Sequence, residues 1–179
     1  VRFVTDIGTD ARGRRIAEHL AASGVHLTPN SATAARTATA LATIGDDGGA
    51  TYEFDLAWAP APPEDTAGAL LVHTGSIATI LEPGCDTVAE LVAQQSGTAT
   101  ISFDPNIRPG PIADTAAARD RIRRFVALAD IVKVSDEDLT WFAPHLDPIV
   151  TARDWLSRGP AIVVLTRGAH GAVAVCADG

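Results

Sequence analysis

From residue 69 onward the chain alternates between short apolar runs of strand length and amphipathic stretches of helix length, and this alternation restricts the fold more than any other feature. Residues 69–73, 99–103, 131–134, 161–166 and 172–176 read as strands, and residues 82–95, 115–129, 135–142 and 151–156 read as helices. The runs 69–72 and 161–165 are continuously apolar, as strands buried on both faces are. Strands that alternate with helices favour a parallel sheet with right-handed crossovers and helices on both faces. The expected class is therefore α/β, with a three-layer α/β/α core.

The first third of the chain reads differently. Residues 1–7 are strand-like, and a helix follows whose apolar positions Ile16, Ala17, Leu20 and Ala21 recur at helical spacing before Gly24 ends it. Residues 37–44 and 51–58 then form two β-type segments around the turn-rich stretch 45–49. Such a hairpin fits poorly into the sheet, and residues 36–59 are expected to project from it as a small flap. The prolines of 59–63 provide a stiff exit, because successive prolines cannot donate to a ladder. The core is expected to comprise residues 1–35 and 60–179.

Composition narrows the function classes. With 179 residues, 46% of them apolar, the chain can bury one sizeable core. A net charge of -8 argues against a partner that is nucleic acid, which demands surplus Lys and Arg. It leaves phosphorylated ligands open, since these need only a few local donors. Cys85 and Cys176 form no metal-binding or disulfide pattern, and no apolar run has the length to span a membrane. The cytoplasm is the expected location. The chain contains no Met and opens directly on Val1, as an internal piece of a longer protein would.

Three segments carry chemistry. The segment Asp104-Pro105-Asn106-Ile107-Arg108-Pro109 follows a strand, where open α/β sheets bind ligands. Its acid, amide and guanidinium suit a polyhydroxylated or phosphorylated ligand, with Arg108 offering a planar fork to phosphoryl oxygens. A proline-fixed turn in which Asp104 and Asn106 cap backbone groups accounts for it equally well. Lys133 to Leu139 runs from strand into helix with Ser135 as N-cap and Asp138 three residues on. Either the acids only cap the helix, or Asp138 or Glu137 also helps hold a hydrated magnesium ion. Thr166 to Gly171 places Gly168 and Gly171 in a tight connection that lets backbone approach a ligand, or that is simply a hairpin turn. The sequence has neither a GxxxxGK[ST] loop nor a GxGxxG fingerprint, so a P-loop NTPase and a Rossmann dehydrogenase are disfavoured.

Taken in order, these segments resemble the ribokinase-like (PfkB family) carbohydrate kinases, and within them the fructokinase branch. Gly8-x-Asp10-x-x-Gly13 is similar to the family's G-x-D-x-x-G element, and residues 36–58 resemble its lid over the sugar. Asp104-x-Asn106-x-Arg108 resembles the D-x-N-x-R element, Lys133 to Leu139 the K-x-S-D-E-E element, and Thr166-x-Gly168-x-x-Gly171 the nucleotide-binding T-x-G-x-x-G element. The resemblance implies a ribokinase-like fold and ATP-dependent phosphorylation of a sugar hydroxyl, fructose or a similar ketose or keto-sugar acid first, with ATP and Mg2+ as cofactors. It implies that Arg108 stabilises the transferred phosphoryl group. The sugar would meet Thr39, Leu41, Asp104 and Asn106; ATP would meet Lys133, Ser135, Thr166, Gly168 and Gly171; magnesium would meet Asp138 through water, Asp being one methylene shorter than the family's Glu. Two copies would pair through the lid. The family's sugar-gripping glycine pair and its G-A-G-D segment, which bears the catalytic base, are absent from these residues, so the chain by itself is expected to be inactive. A non-catalytic sugar- or nucleotide-binding piece, or an unrelated α/β binding protein, stands as the alternative.

Overall fold

A computed structural model describes residues 1–45 and 50–177. The chain divides into two compact units, one formed by residues 1–65 and 82–87, the other by 66–81 and 88–179.

In the first unit the strand expected over residues 1–7 shrinks to β1 (Arg2–Phe3), paired in parallel with β2 (His26–Leu27). The cause lies in residues 5–8, whose backbone serves loop contacts instead. Thr5 and Ile7 donate to Ser31, to its hydroxyl and its carbonyl respectively, and Ile7 in turn accepts from Ala34. Helix α1 (Ala11–Ala22) starts at the N-cap Asp10, whose carboxylate accepts the Gly13 N–H at 2.9 Å, and stops before Gly24 at φ 68°. Its expected apolar stripe is only partly covered, and Ile16 stays exposed while Gly13 is buried.

Strands β3 (Thr39–Ile44) and β4 (Ala50–Asp55) form the hairpin in antiparallel register, Thr39 opposite Asp55 and Ile44 opposite Ala50. The turn expected at 45–49 lies, past Gly45, outside the described residues. Because alternate residues share a face, Ala40, Ala42, Ile44, Tyr52 and Phe54 fall on one side, with Tyr52 and Phe54 stacked at 6.0 Å. Leu41, Glu53 and Asp55 fall on the other.

The second unit is built on a five-stranded sheet in strictly sequential order: β5 (Leu71–Gly75), β6 (Thr100–Asp104), β7 (Ile131–Ser135), β8 (Ile162–Thr166) and β9 (Ala172–Cys176). The first four run parallel and β9 returns antiparallel to β8. The helices are α2 (Gly84–Gln95, its first turn counted with the first unit), α3 (Thr115–Leu128), α4 (Asp136–Phe142) and α5 (Pro148–Leu156). This is an α/β fold with a central mixed sheet and helices. Since each crossover advances one strand in the same direction, the right-handed rule places these connections on one face. That layer is one of the two expected around the sheet.

The strand residues record which face it covers. Ile101, Phe103, Val132, Val134, Val163 and Leu165 are buried, while their neighbours on the opposite face are partly open. Phe103 stacks on Phe125 of α3 at 5.4 Å, and Trp155 of α5 meets Phe142 of α4 edge-on at 4.9 Å. Asp130 ties β6, β7 and β8 together at their starts, accepting the Ile101 N–H through its carboxylate and the Ala161 N–H through its carbonyl. The apolar run at 69–72 behaves differently from a buried strand: Leu70 is 86% exposed, because β5 is an edge strand of this sheet. Among the described residues no helix is long and apolar enough to cross a membrane.

Candidate functional site

Parallel strands deliver their C-terminal ends to one rim of a sheet, so whatever follows β6, β7 and β8 is gathered there. After β6 the chain enters the loop of Asn106, Ile107 and Arg108. After β7 it turns at Ser135 into α4, and after β8 it bends at Gly168. A cleft of about 360 Å³ opens at this rim, lined by Asn106, Ile107, Arg108, Pro109, Lys133, Ser135, Glu137, Asp138 and Trp141.

Each polar lining group has a definite setting. Lys133 Nζ meets Asp104 Oδ2 at 3.0 Å across the β6–β7 pair. Asp104 Oδ1 is buried and has no hydrogen-bond partner among the described residues, which leaves one acceptor oxygen unspent beside the cleft. Arg108 is exposed, and its Nη1 donates to the carbonyls of Asn106 at 3.3 Å and Ile107 at 3.1 Å. Asn106 sits at φ 38°, a left-handed conformation that Asn tolerates better than most residues and that turns the Arg108 loop over the strand end.

Asp138 holds this loop in place. The full capping box forms at the start of α4: Asp138 N donates to Ser135 Oγ at 3.1 Å, and Ser135 N donates to Asp138 Oδ2 at 3.3 Å. The other oxygen, Oδ1, accepts the Ile107 N–H at 2.7 Å. The carboxylate is buried, so these are charge-assisted bonds away from solvent. Thr166 lies beside Ser135 in the β7–β8 register and reaches the Val134 carbonyl at 3.4 Å. Gly168 and Gly171 flank the bend at φ 52° and φ 78°, values that admit glycine without strain, and none of the described residues stands within 4 Å of where a Cβ would project from either.

Of the residues singled out in the sequence, Asn106, Arg108, Lys133, Ser135 and Asp138 therefore line one cleft, with Asp104 joined to it through Lys133. Thr166, Gly168 and Gly171 stand at the next strand end of the same rim. Thr39 and Leu41 belong to the hairpin of the first unit and do not line this cleft; Leu41 is 61% exposed. Trp141 lines the cleft and was missed by the sequence reading. Its signal was helical spacing, since it stands four residues after Glu137 and shares that face of α4. The Arg119 guanidinium of α3 lies 5.2 Å from the Trp141 ring and donates to the Trp141 carbonyl at 2.8 Å, fixing that wall from behind.

Comparison with known proteins gives the chain a family. The model of the "pfkB family carbohydrate kinase" matches residues 1–179. A fructokinase of Rhizobium leguminosarum bv. trifolii is 36% identical over 95% of this chain and 54% of its own length, and a fructokinase of Klebsiella pneumoniae is 32% identical over 94% of this chain and 58% of its own. The chain thus spans about half the length of the curated relatives it matches. In fold it is similar to the fructokinase of Xylella fastidiosa with bound ATP, at a TM-score of 0.82 and 21% identity over 100% of this chain and 60% of that one. It is likewise similar to the fructokinase of Vibrio cholerae O395 in its fructose, ADP and calcium ion bound form, at a TM-score of 0.76 and 23% identity over 99% and 60%. With the family model matched from the first residue to the last, this chain belongs to the pfkB family of carbohydrate kinases.

Proposed function

We propose that this chain supplies the nucleotide-binding and phosphoryl-stabilising part of an ATP-dependent sugar kinase, whose whole protein phosphorylates a hydroxyl of fructose or of a similar ketose or keto-sugar acid. The observation that carries this reading is the convergence of Arg108, Lys133 and Ser135 on one cleft at the rim of β6, β7 and β8, beside the glycine bend at 168–171.

Phosphoryl transfer needs positioning and charge stabilisation more than covalent chemistry. Arg108 is suited to the migrating group: its guanidinium is open to solvent and rests only on two carbonyls of its own loop, contacts it exchanges readily for phosphoryl oxygens. Lys133, partly neutralised by Asp104, and the Ser135 hydroxyl face the nucleotide phosphates, while Thr166, Gly168 and Gly171 let the nucleotide lie close to backbone. Asp104 and Asn106 are the candidates for the sugar in this unit, and Thr39 and Leu41 are those of the hairpin. The ATP bound by the Xylella fastidiosa fructokinase and the fructose bound by the Vibrio cholerae fructokinase support the choice of ligands.

The cleft fits a magnesium ion that arrives on the phosphates and keeps most of its water. Among the described residues no group of three or more His, Cys, Asp or Glu side chains could hold a metal unaided. Both oxygens of Asp138 already accept a backbone N–H, so Asp138 suits a bond to a metal-bound water rather than direct ligation. Bound there, magnesium would neutralise charge on the β- and γ-phosphates.

The proton acceptor for the sugar hydroxyl is assigned to the family's G-A-G-D segment, which these residues do not contain, so the 179-residue chain is expected to bind nucleotide without turning it over. The apolar hairpin face of Ala40, Ala42, Ile44, Tyr52 and Phe54 offers a surface on which a second copy would pair. Hydrogen exchange of the chain with and without ATP and magnesium tests the nucleotide site. Protection confined to peptides around 106–108, 133–138 and 166–171 supports it, and none there removes it.

A further inference from the structure

The hairpin β3–β4 joins the rest of the first unit by two legs, and each leg is tied by a carboxylate from the same five-residue loop. Asp10 takes the incoming leg. Its Oδ2 accepts the Thr37 N–H at 2.9 Å, and its Oδ1 accepts the Thr37 hydroxyl at 2.8 Å together with the Gly13 N–H at 2.9 Å. The Thr37 hydroxyl itself accepts the Gly8 N–H at 3.0 Å, and Thr37 is 5% exposed. Asp6 takes the outgoing leg, its Oδ2 accepting the Ala59 N–H at 2.9 Å. One residue earlier, the Trp58 carbonyl accepts the Gly84 N–H at 3.0 Å.

Between these aspartates the loop touches the incoming leg backbone to backbone. A Cβ on Gly8 would stand 2.6 Å from the Arg36 carbonyl carbon and the Thr37 nitrogen, closer than carbon atoms pack. The two legs are joined to each other by the Arg36–Asp55 ion pair. Beyond these ties residues 40–45 and 52–55 are exposed and pair through the hairpin's own ladder. The hairpin is therefore an arm on a fixed base, and the base is built from the carboxylates of Asp6 and Asp10.

We propose that Asp6 and Asp10 are positioning residues that set the stance of the hairpin, and through it the grip on the acceptor sugar. Thr39, the nearer of the hairpin's two sugar-facing candidates, stands two residues beyond the anchored Thr37, so a shift at the anchor is carried directly to it. Acceptor-only carboxylates are required, because every partner is a donor. An Asn at position 10 would turn an amide N–H2 toward either the Thr37 N–H or the pair of donors at Oδ1. The link to sugar rests on the kinase reading above; the anchoring itself does not.

The test uses Asp6→Asn, Asp10→Asn, Thr37→Val and the conservative Thr37→Ser, each followed by hydrogen exchange of the chain and by steady-state kinetics of the whole protein with fructose and ATP. Asp10→Asn and Thr37→Val are expected to speed exchange in the hairpin peptides about tenfold or more, since each breaks hydrogen bonds of the anchor, with β6, β7 and β8 unchanged. They are also expected to raise the fructose KM severalfold while kcat and the ATP KM stay within about twofold, uniform binding of the acceptor being what is lost. Asp6→Asn is expected to act in the same direction on the outgoing leg, and Thr37→Ser to match the unmutated protein. Unchanged hairpin exchange in Asp10→Asn overturns the proposal, and so does faster exchange spread evenly over the chain. Faster hairpin exchange with an unmoved fructose KM in an active enzyme overturns the link to sugar. If the unmutated protein turns over no sugar, the kinase reading fails, and exchange alone decides the anchor.

Discussion

Asp138 accepts the Ile107 N–H at 2.7 Å while its second oxygen closes the capping box on Ser135, so one buried carboxylate fastens the first turn of α4 to the loop that carries Arg108. The two strand ends that flank the cleft are thereby held at a fixed spacing. Removing that group exposes the cost of leaving backbone donors unpaired away from water. Asp138→Ala should destabilise the chain by about 3 kcal/mol, and Asp138→Asn, which keeps one acceptor, by about 1 kcal/mol. Urea unfolding followed by tryptophan fluorescence reads both, Trp155 being fully buried in the same unit. A midpoint in Asp138→Ala equal to that of the unmutated chain would mean that the carboxylate fastens nothing.

Gly13, in the first turn of α1, and Gly24, just past its end, make opposite demands. A Cβ on Gly13 would stand 1.7 Å from the Gly8 carbonyl oxygen, whereas Gly24 has open space and only its positive φ of 68° to protect. Gly13→Ala should therefore cost about 3 kcal/mol through overpacking. Gly24→Ala should cost only about 1 kcal/mol, the penalty of a left-handed alanine. Paired thermal melts of the two variants measure the difference. Equal losses would contradict the packing described at Gly8.

The hydrogen bonds from Thr37 and Gly13 hold the Asp10 carboxyl down at about 2, below its usual value near 3.8. A carboxyl depressed in the folded state contributes stability that is present above its unfolded pKa and is lost as the pH falls through the folded one. Asp10 should thus support the fold fully above about pH 4 and progressively less from pH 4 to 2. Melts of the unmutated chain and of Asp10→Asn across this range should converge as the pH drops. A gap that stays constant to pH 2 would show that Asp10 is not the titrating group.

Much of this was legible in the sequence where local signal and tertiary demand agree. Ser135 and Asp138 announced a capping box that the structure completes, and the apolar runs of 131–134 and 161–166 located β7 and β8 to within a residue. The misreadings have physical causes. Residues 1–7 have strand-forming composition, but Thr5, Ile7 and Gly8 give their backbone donors to Ser31 and Thr37, a tertiary choice that no local pattern records. Leu70 and Leu71 read as buried because apolarity alone cannot distinguish an edge strand from a central one. Trp141 escaped because an aromatic on a short helix reads as core, and only its placement opposite the Arg108 loop brings it to the cleft. Strand order was likewise out of reach, since sequential and shuffled parallel sheets share one alternation of elements.

Phosphorylation of fructose by the whole protein, followed as ADP release in the presence of ATP and magnesium and repeated with Arg108→Ala, tests the central claim most directly. Turnover that requires the sugar, with kcat in Arg108→Ala lower by about a hundredfold as expected for loss of one charge-stabilising group, is the predicted result. Absence of sugar-dependent turnover with fructose, related ketoses and keto-sugar acids alike, or full activity in Arg108→Ala, would contradict it.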